Sequence, residues 1–152
     1  MTEEPSAPGG PAPVFTVRRF FELLQEGDIE AAAELLDPAV RYVNVPLPAI
    51  RGKERTKKVL AAVFGRPRVG LEVYMHSISE SQGTVLTERT DVIVVGPVRV
   101  QVWVCGRFDV AGGRIVFWKD YFDWLDAAVA TVRGLLGAVI PVLAPKPPVA
   151  DG

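Results

Sequence analysis

The spacing of apolar positions changes near residue 69 and divides the chain into a helical first half and a stranded second half. Phe15, Phe20, Leu23 and Leu24 recur at helical spacing up to Gly27, which predicts an amphipathic helix. Asp28 can cap a second, short helix through Leu36 that carries Ile29, Ala32 and Ala33, and Asp37-Pro38 ends it. Val40 to Val45 alternates as a strand, with Tyr42 and Asn44 sharing one face, and Pro46 and Pro48 break it. Arg51-Gly52 then leads into a third helix over 53–64, closed by Gly65. Beyond it, alternation predicts strands near 69–79, 84–95, 98–110 and 114–123, joined by turns at Gln82-Gly83, Gly96-Pro97 and Gly112-Gly113. Residues 124–143 follow as a helix that is apolar almost all round. Asp126, Arg133 and Pro141 interrupt it, so it reads as a buried, pocket-covering or subunit-contact helix rather than a membrane span of about 20 apolar residues.

Helices followed by a run of antiparallel hairpins argue an α+β fold, with helices packed on one face of a curved sheet. A length of 152 residues fits one domain. Its expected bounds are 14–143, flanked by Pro-rich ends over 1–13 and 144–152 that hold too little apolar surface to pack and read as disordered tails.

Composition removes several function classes. With 49% hydrophobic residues, 23% charged and a net charge of −1, the chain reads as an ordinary soluble globular protein, with no basic run to bind nucleic acid or an anionic membrane. The single cysteine, Cys105, and single histidine, His76, cannot make a disulfide or a zinc site between them. That and the acidic, Pro-rich start, which is no signal peptide, suggest a cytoplasmic setting. No nucleophile elbow, P-loop or dinucleotide fingerprint occurs, so acid–base chemistry would fall to carboxylates.

Carboxylates do stand where apolar residues belong. Arg89 and Asp91 project from the same face of one predicted strand, and Asp120 lies between Trp118 and Phe122 on another. Buried charge is costly unless paired. Arg89 with Asp91 alone is the pattern of a structural ion pair. Adding Asp120, Tyr42 and Asn44 on strands of the same sheet turns the reading toward an active site. Glu88 and Asp123 point the other way and read as solvated or structural charges, His76 as a surface or partly buried strand residue, and Cys105 as core filler. Trp118, Phe122 and Trp103 are core positions first, and would also line a pocket suited to a lipophilic ligand.

Tyr42-Val43-Asn44, Leu86-Thr87-Glu88-Arg89-Thr90-Asp91 and Trp118-Lys119-Asp120-Tyr121-Phe122-Asp123 together resemble the signature of limonene-1,2-epoxide hydrolase-like proteins, mycobacterial-type members above all. The resemblance covers residues 14–135, Arg51-Gly52 included. It implies a cone-shaped, curved, mixed six-stranded sheet of the nuclear-transport-factor-2-like (NTF2-like) superfold, and a homodimer. It also implies cofactor-free, metal-free, one-step hydrolysis of a lipophilic epoxide by water. Carried over by position, Asp120 is the base, Asp91 the acid, Arg89 the group between them, and Tyr42 and Asn44 position the water. An isomerase or cyclase on the same superfold, or a non-catalytic binder of an apolar small molecule, are the competing expectations.

Overall fold

The computed structural model describes residues 11–149. Two helices open it: α1 (Pro13–Glu26) and α2 (Ile29–Glu34). α1 stops at Gly27, whose left-handed φ of 79° lets its N–H and that of Asp28 reach back to the carbonyls of Leu24 and Leu23. Asp28 caps α2 by accepting from Ala31 N at 3.0 Å. Strand β1 (Leu36–Asn44) pairs with the two-residue β2 (Ile50–Arg51), and α3 (Lys53–Phe64) follows. Four strands then run as hairpins: β3 (Val69–Ser81), β4 (Thr84–Val95), β5 (Val98–Ala111) and β6 (Arg114–Tyr121). Helix α4 (Trp124–Val139) and a 3-10 turn over Pro141–Leu143 close the chain.

The six strands form one sheet in the order β2-β1-β6-β5-β4-β3. All neighbours are antiparallel except β1 and β6, the first long strand and the last, which run parallel. Their register sets Tyr42 beside Trp118 and Asn44 beside Asp120. Helices α1, α2 and α3 pack on the inner face of this curved, mixed sheet. Phe20, Phe21 and Leu24 of α1 and Leu60 of α3 close over Leu71, Val85, Phe108, Ile115 and Trp118, the main hydrophobic core. Aromatic rings tie it together: Phe20 meets Trp118 edge-on at 5.1 Å, and Tyr42 stacks on Trp118 at 4.0 Å.

Several expectations shift. β1 begins at Leu36 rather than Val40, so α2 is shorter than expected, and the β1–β6 register is irregular between Leu36 and Arg41. α4 stops at Val139, since Pro141 lacks the N–H needed to continue it. It is not a buried helix within this chain: Gly134 is its only buried residue, while Leu125, Val129, Leu135 and Val139 are more than half exposed. Of the expected Pro-rich tails, residues 1–10 and 150–152 lie outside the described residues, and Pro13 already belongs to α1. Among the described residues, no helix is long and apolar enough to cross a membrane.

Candidate active site

Period-two alternation places Thr87, Arg89 and Asp91 of β4 on the inner face of the sheet, and Trp118 and Asp120 of β6 on the same face two strands away. Parallel pairing brings Tyr42 and Asn44 of β1 alongside. The arrangement centres on Arg89, whose side chain is 1% exposed. Its Nε donates to Asp91 Oδ1 at 2.9 Å and Oδ2 at 3.2 Å. Nη2 reaches Asp120 Oδ2 at 2.9 Å, and Nη1 donates to Thr87 Oγ1 at 3.1 Å. Cζ lies 4.6 Å from the centroid of the Phe21 ring, a cation–π contact in a desolvated setting. Every nitrogen of the guanidinium thus has an acceptor, which is what makes a buried cation tolerable.

Electrostatics follow from that geometry. Burial works against the charge of Arg89, but Asp120 and Asp91 outweigh it and hold the guanidinium firmly protonated. Burial raises Asp91 above the usual carboxylate range; Arg89 pulls it back in part, and neighbouring Asp120 pushes it up again. Asp91 is therefore the carboxyl inclined to carry a proton. Burial, then the nearby Asp120, raise the Tyr42 phenol, which stays neutral while accepting a hydrogen bond from Asn44 Nδ2. Asp120 Oδ2 is taken by Arg89, but its Oδ1 is buried and receives no hydrogen bond from any described residue. Such an acceptor calls for an outside donor.

A cavity of about 240 Å³ opens onto this cluster. Tyr42, Asn44, Asp91 and Asp120 form its polar end, and Val59, Val63, Phe64, Ile93, Val104 and Phe122 are among its apolar walls. A smaller space of about 80 Å³, on the core side, touches Arg89, Trp118, Phe21 and Leu71. The structure thus gathers all five polar candidates, places Phe122 in the wall and sets Trp118 in the core behind Tyr42. Trp103 is a correction. It faces the opposite side of the sheet, is 47% exposed and donates from Nε1 to Glu88 at 3.2 Å. On β5 it is Val102 and Val104 that line the cavity, and one position along a strand reverses the face. Glu88 and His76, the latter 2.8 Å from Thr90 Oγ1, also lie away from the cluster, and Asp123 caps α4. Sequence reasoning missed the α3 wall, which helical spacing alone reads as core, and missed Thr87, although its parity with Arg89 and Asp91 was visible. Among the described residues, no group of three or more His, Cys, Asp or Glu side chains is placed to hold a metal ion.

A curved mixed sheet with helices on its inner face, closed around a buried polar cluster, is the NTF2-like architecture. An NTF2-like protein from Anabaena variabilis shares it at 21% identity, with a TM-score of 0.64 over 74% of this chain and 90% of that one. The sequence model of the limonene-1,2-epoxide hydrolase catalytic domain matches residues 11–133. The epoxide hydrolase EphG of Mycobacterium tuberculosis is 44% identical over 127 residues, 84% of each chain. A solved LEH-like epoxide hydrolase of M. tuberculosis superposes with a TM-score of 0.79 at 42% identity, covering 86% of this chain and 96% of that one. The chain belongs to the limonene-1,2-epoxide hydrolase family and is an epoxide hydrolase of that type.

Proposed function

We propose that this protein opens a lipophilic epoxide with water in one step, by push–pull acid–base catalysis between Asp120 and Asp91, and needs no cofactor. The observation that carries this reading is the unequal use of the two carboxylates around Arg89. Asp120 keeps one oxygen free, buried beside Asn44 and Tyr42, whereas burial inclines Asp91 to hold a proton. A water donating to Asp120 Oδ1 and to the Asn44 amide oxygen, and accepting from the Tyr42 hydroxyl, keeps a lone pair for attack. Asp120 takes its proton as the oxygen bonds to an epoxide carbon. The ring C–O bond breaks, and Asp91 gives its proton to the departing oxygen. The product is a vicinal diol. Asp120 is left protonated and Asp91 ionised, so the return of one proton from Asp120 to Asp91 resets the site. The apolar walls of the cavity favour a substrate without charge.

The deciding experiment is incubation with styrene oxide and limonene oxide in ¹⁸O-water. One labelled oxygen in the diol is expected. An isomerase or cyclase would give no labelled diol, and a mere binder no product. In Asp120→Asn, the fold is expected to persist while hydrolysis falls by about 10²–10⁴-fold, the share usual for a general base. Retained turnover in that variant removes Asp120 from the chemistry.

We also infer a homodimer. The apolar side chains that α4 leaves exposed (Leu125, Val129, Val132, Leu135 and Val139) form a surface of the kind that a partner covers. Sedimentation should then give a mass twice the 16.5 kDa of one chain. A monomer at micromolar concentration would contradict it.

A further inference from the structure

On the inner face of β4, Thr87 stands two residues before Arg89, yet the hydrolysis scheme gives it no task. Its Oγ1 accepts from Arg89 Nη1 at 3.1 Å, and the contact is fully buried. The opposing strand makes room for it with a glycine. A Cβ on Gly106 would stand 2.5 Å from Arg89 Nη1 and 2.7 Å from Thr87 Oγ1. Gly106 pairs directly with Thr87 across β4 and β5, and with Asp120 across β5 and β6. The Phe21 ring of α1 supports the guanidinium from a further side.

We propose that Thr87 is a positioning residue for hydrolysis: its hydroxyl, in the gap left by Gly106, holds the Arg89 guanidinium midway between the two carboxylates. The inference rests on Asp120 and Asp91 being the base and the acid. During that reaction one negative charge passes from Asp120 to Asp91. A cation held 2.9 Å from both stays beside the charge at the start and at the end, so it need not move for the transfer to occur. Thr87 supplies a third, uncharged anchor that does not change during turnover. Without it, the guanidinium is free to tilt toward whichever carboxylate is ionised. In the resting enzyme that is Asp120, and the tilt must then be undone at the transition state.

The test is Thr87→Val, which keeps the shape and removes the acceptor, with Thr87→Ser as the conservative variant that restores it. Thr87→Val should lower kcat by roughly 10- to 100-fold, the loss of a hydrogen bond to a charged group, with KM nearly unchanged. Thr87→Ser should recover most of the rate. The alkaline limb of the kcat profile should move to higher pH in Thr87→Val, because Asp91 loses part of the positive neighbour that draws its pKa down. A loss of packing alone lowers Tm and leaves that limb in place. A crystal structure of the variant should show the guanidinium shifted toward Asp120. If Thr87→Val does not fold, Thr87→Cys, which keeps the bulk and weakens the acceptor, should show the same kcat loss and limb shift. Wild-type kcat and an unmoved limb in the folded variant would overturn the role of Thr87 and leave the acid–base scheme standing. Absence of labelled diol with wild-type protein would overturn both.

Discussion

Arg89 carries its charge among apolar side chains, and removing it would strand two carboxylates in the core. Arg89→Met should therefore abolish hydrolysis and also destabilise the fold by about 3–5 kcal/mol, measured by urea unfolding, because breaking a buried pair leaves uncompensated charge. Asp91 makes a prediction of opposite sense. Its folded pKa is raised above the ordinary 3.8, so the folded state binds the extra proton. The stability this contributes is complete below the ordinary value and fades as pH rises through the raised one. The stability difference between Asp91→Asn and wild type should accordingly drift in the variant's favour as pH rises, and a flat difference would contradict the raised pKa. At this scale the sequence is a good guide wherever parity decides. Arg89, Asp91 and Asp120 are charged residues at inward positions of predicted strands, so their burial was readable. The opposite placement of Trp103 was readable too, but an aromatic residue's bulk argued for the core more loudly than its odd position argued against it. Only the fold could reveal that Gly106 leaves the room in which Thr87 meets Arg89.

Strands and helices were legible in proportion to their length. β3 to β6 fall close to where alternation predicts them, because ten or so residues of pattern leave little freedom in register. β2 is two residues long and has no period to read; it exists because Arg51 and Ile50 find Arg41 and Tyr42 on β1. α4 shows the opposite failure. Its strong apolar pattern argues for burial, but a pattern cannot say whether the cover belongs to the same chain. What holds α4 in place is specific: Trp124 Nε1 donates to the Val45 carbonyl at 2.8 Å, and Gly134 lies against β5. A Cβ at Gly134 would come within 2.3 Å of the Arg99 carbonyl. Gly134→Ala should thus lift α4 from β5 and cost about 1–3 kcal/mol by overpacking, read as a lower Tm. Hydrolysis should survive, since α4 contributes no residue to the cavity beside Asp91 and Asp120.

For the whole molecule, helices before hairpins were enough to infer an α+β fold, while the count of six strands and the mixed pairing came from the family resemblance. Local periodicity cannot reveal that β6 enters the sheet between β1 and β5. That insertion has a consequence in time. Tyr42 and Asn44 leave the ribosome early and Asp120 late, and the wing formed by β1 and β2 joins the remaining sheet only through β6. A nascent chain halted at the Gly112-Gly113 turn would already carry Tyr42, Asn44, Arg89 and Asp91, but would lack both Asp120 and the strand that joins the two parts of the sheet. Catalytic competence in this protein is thus a late event of biosynthesis, switched on as a whole when the eight-residue segment 114–121 zips into its slot.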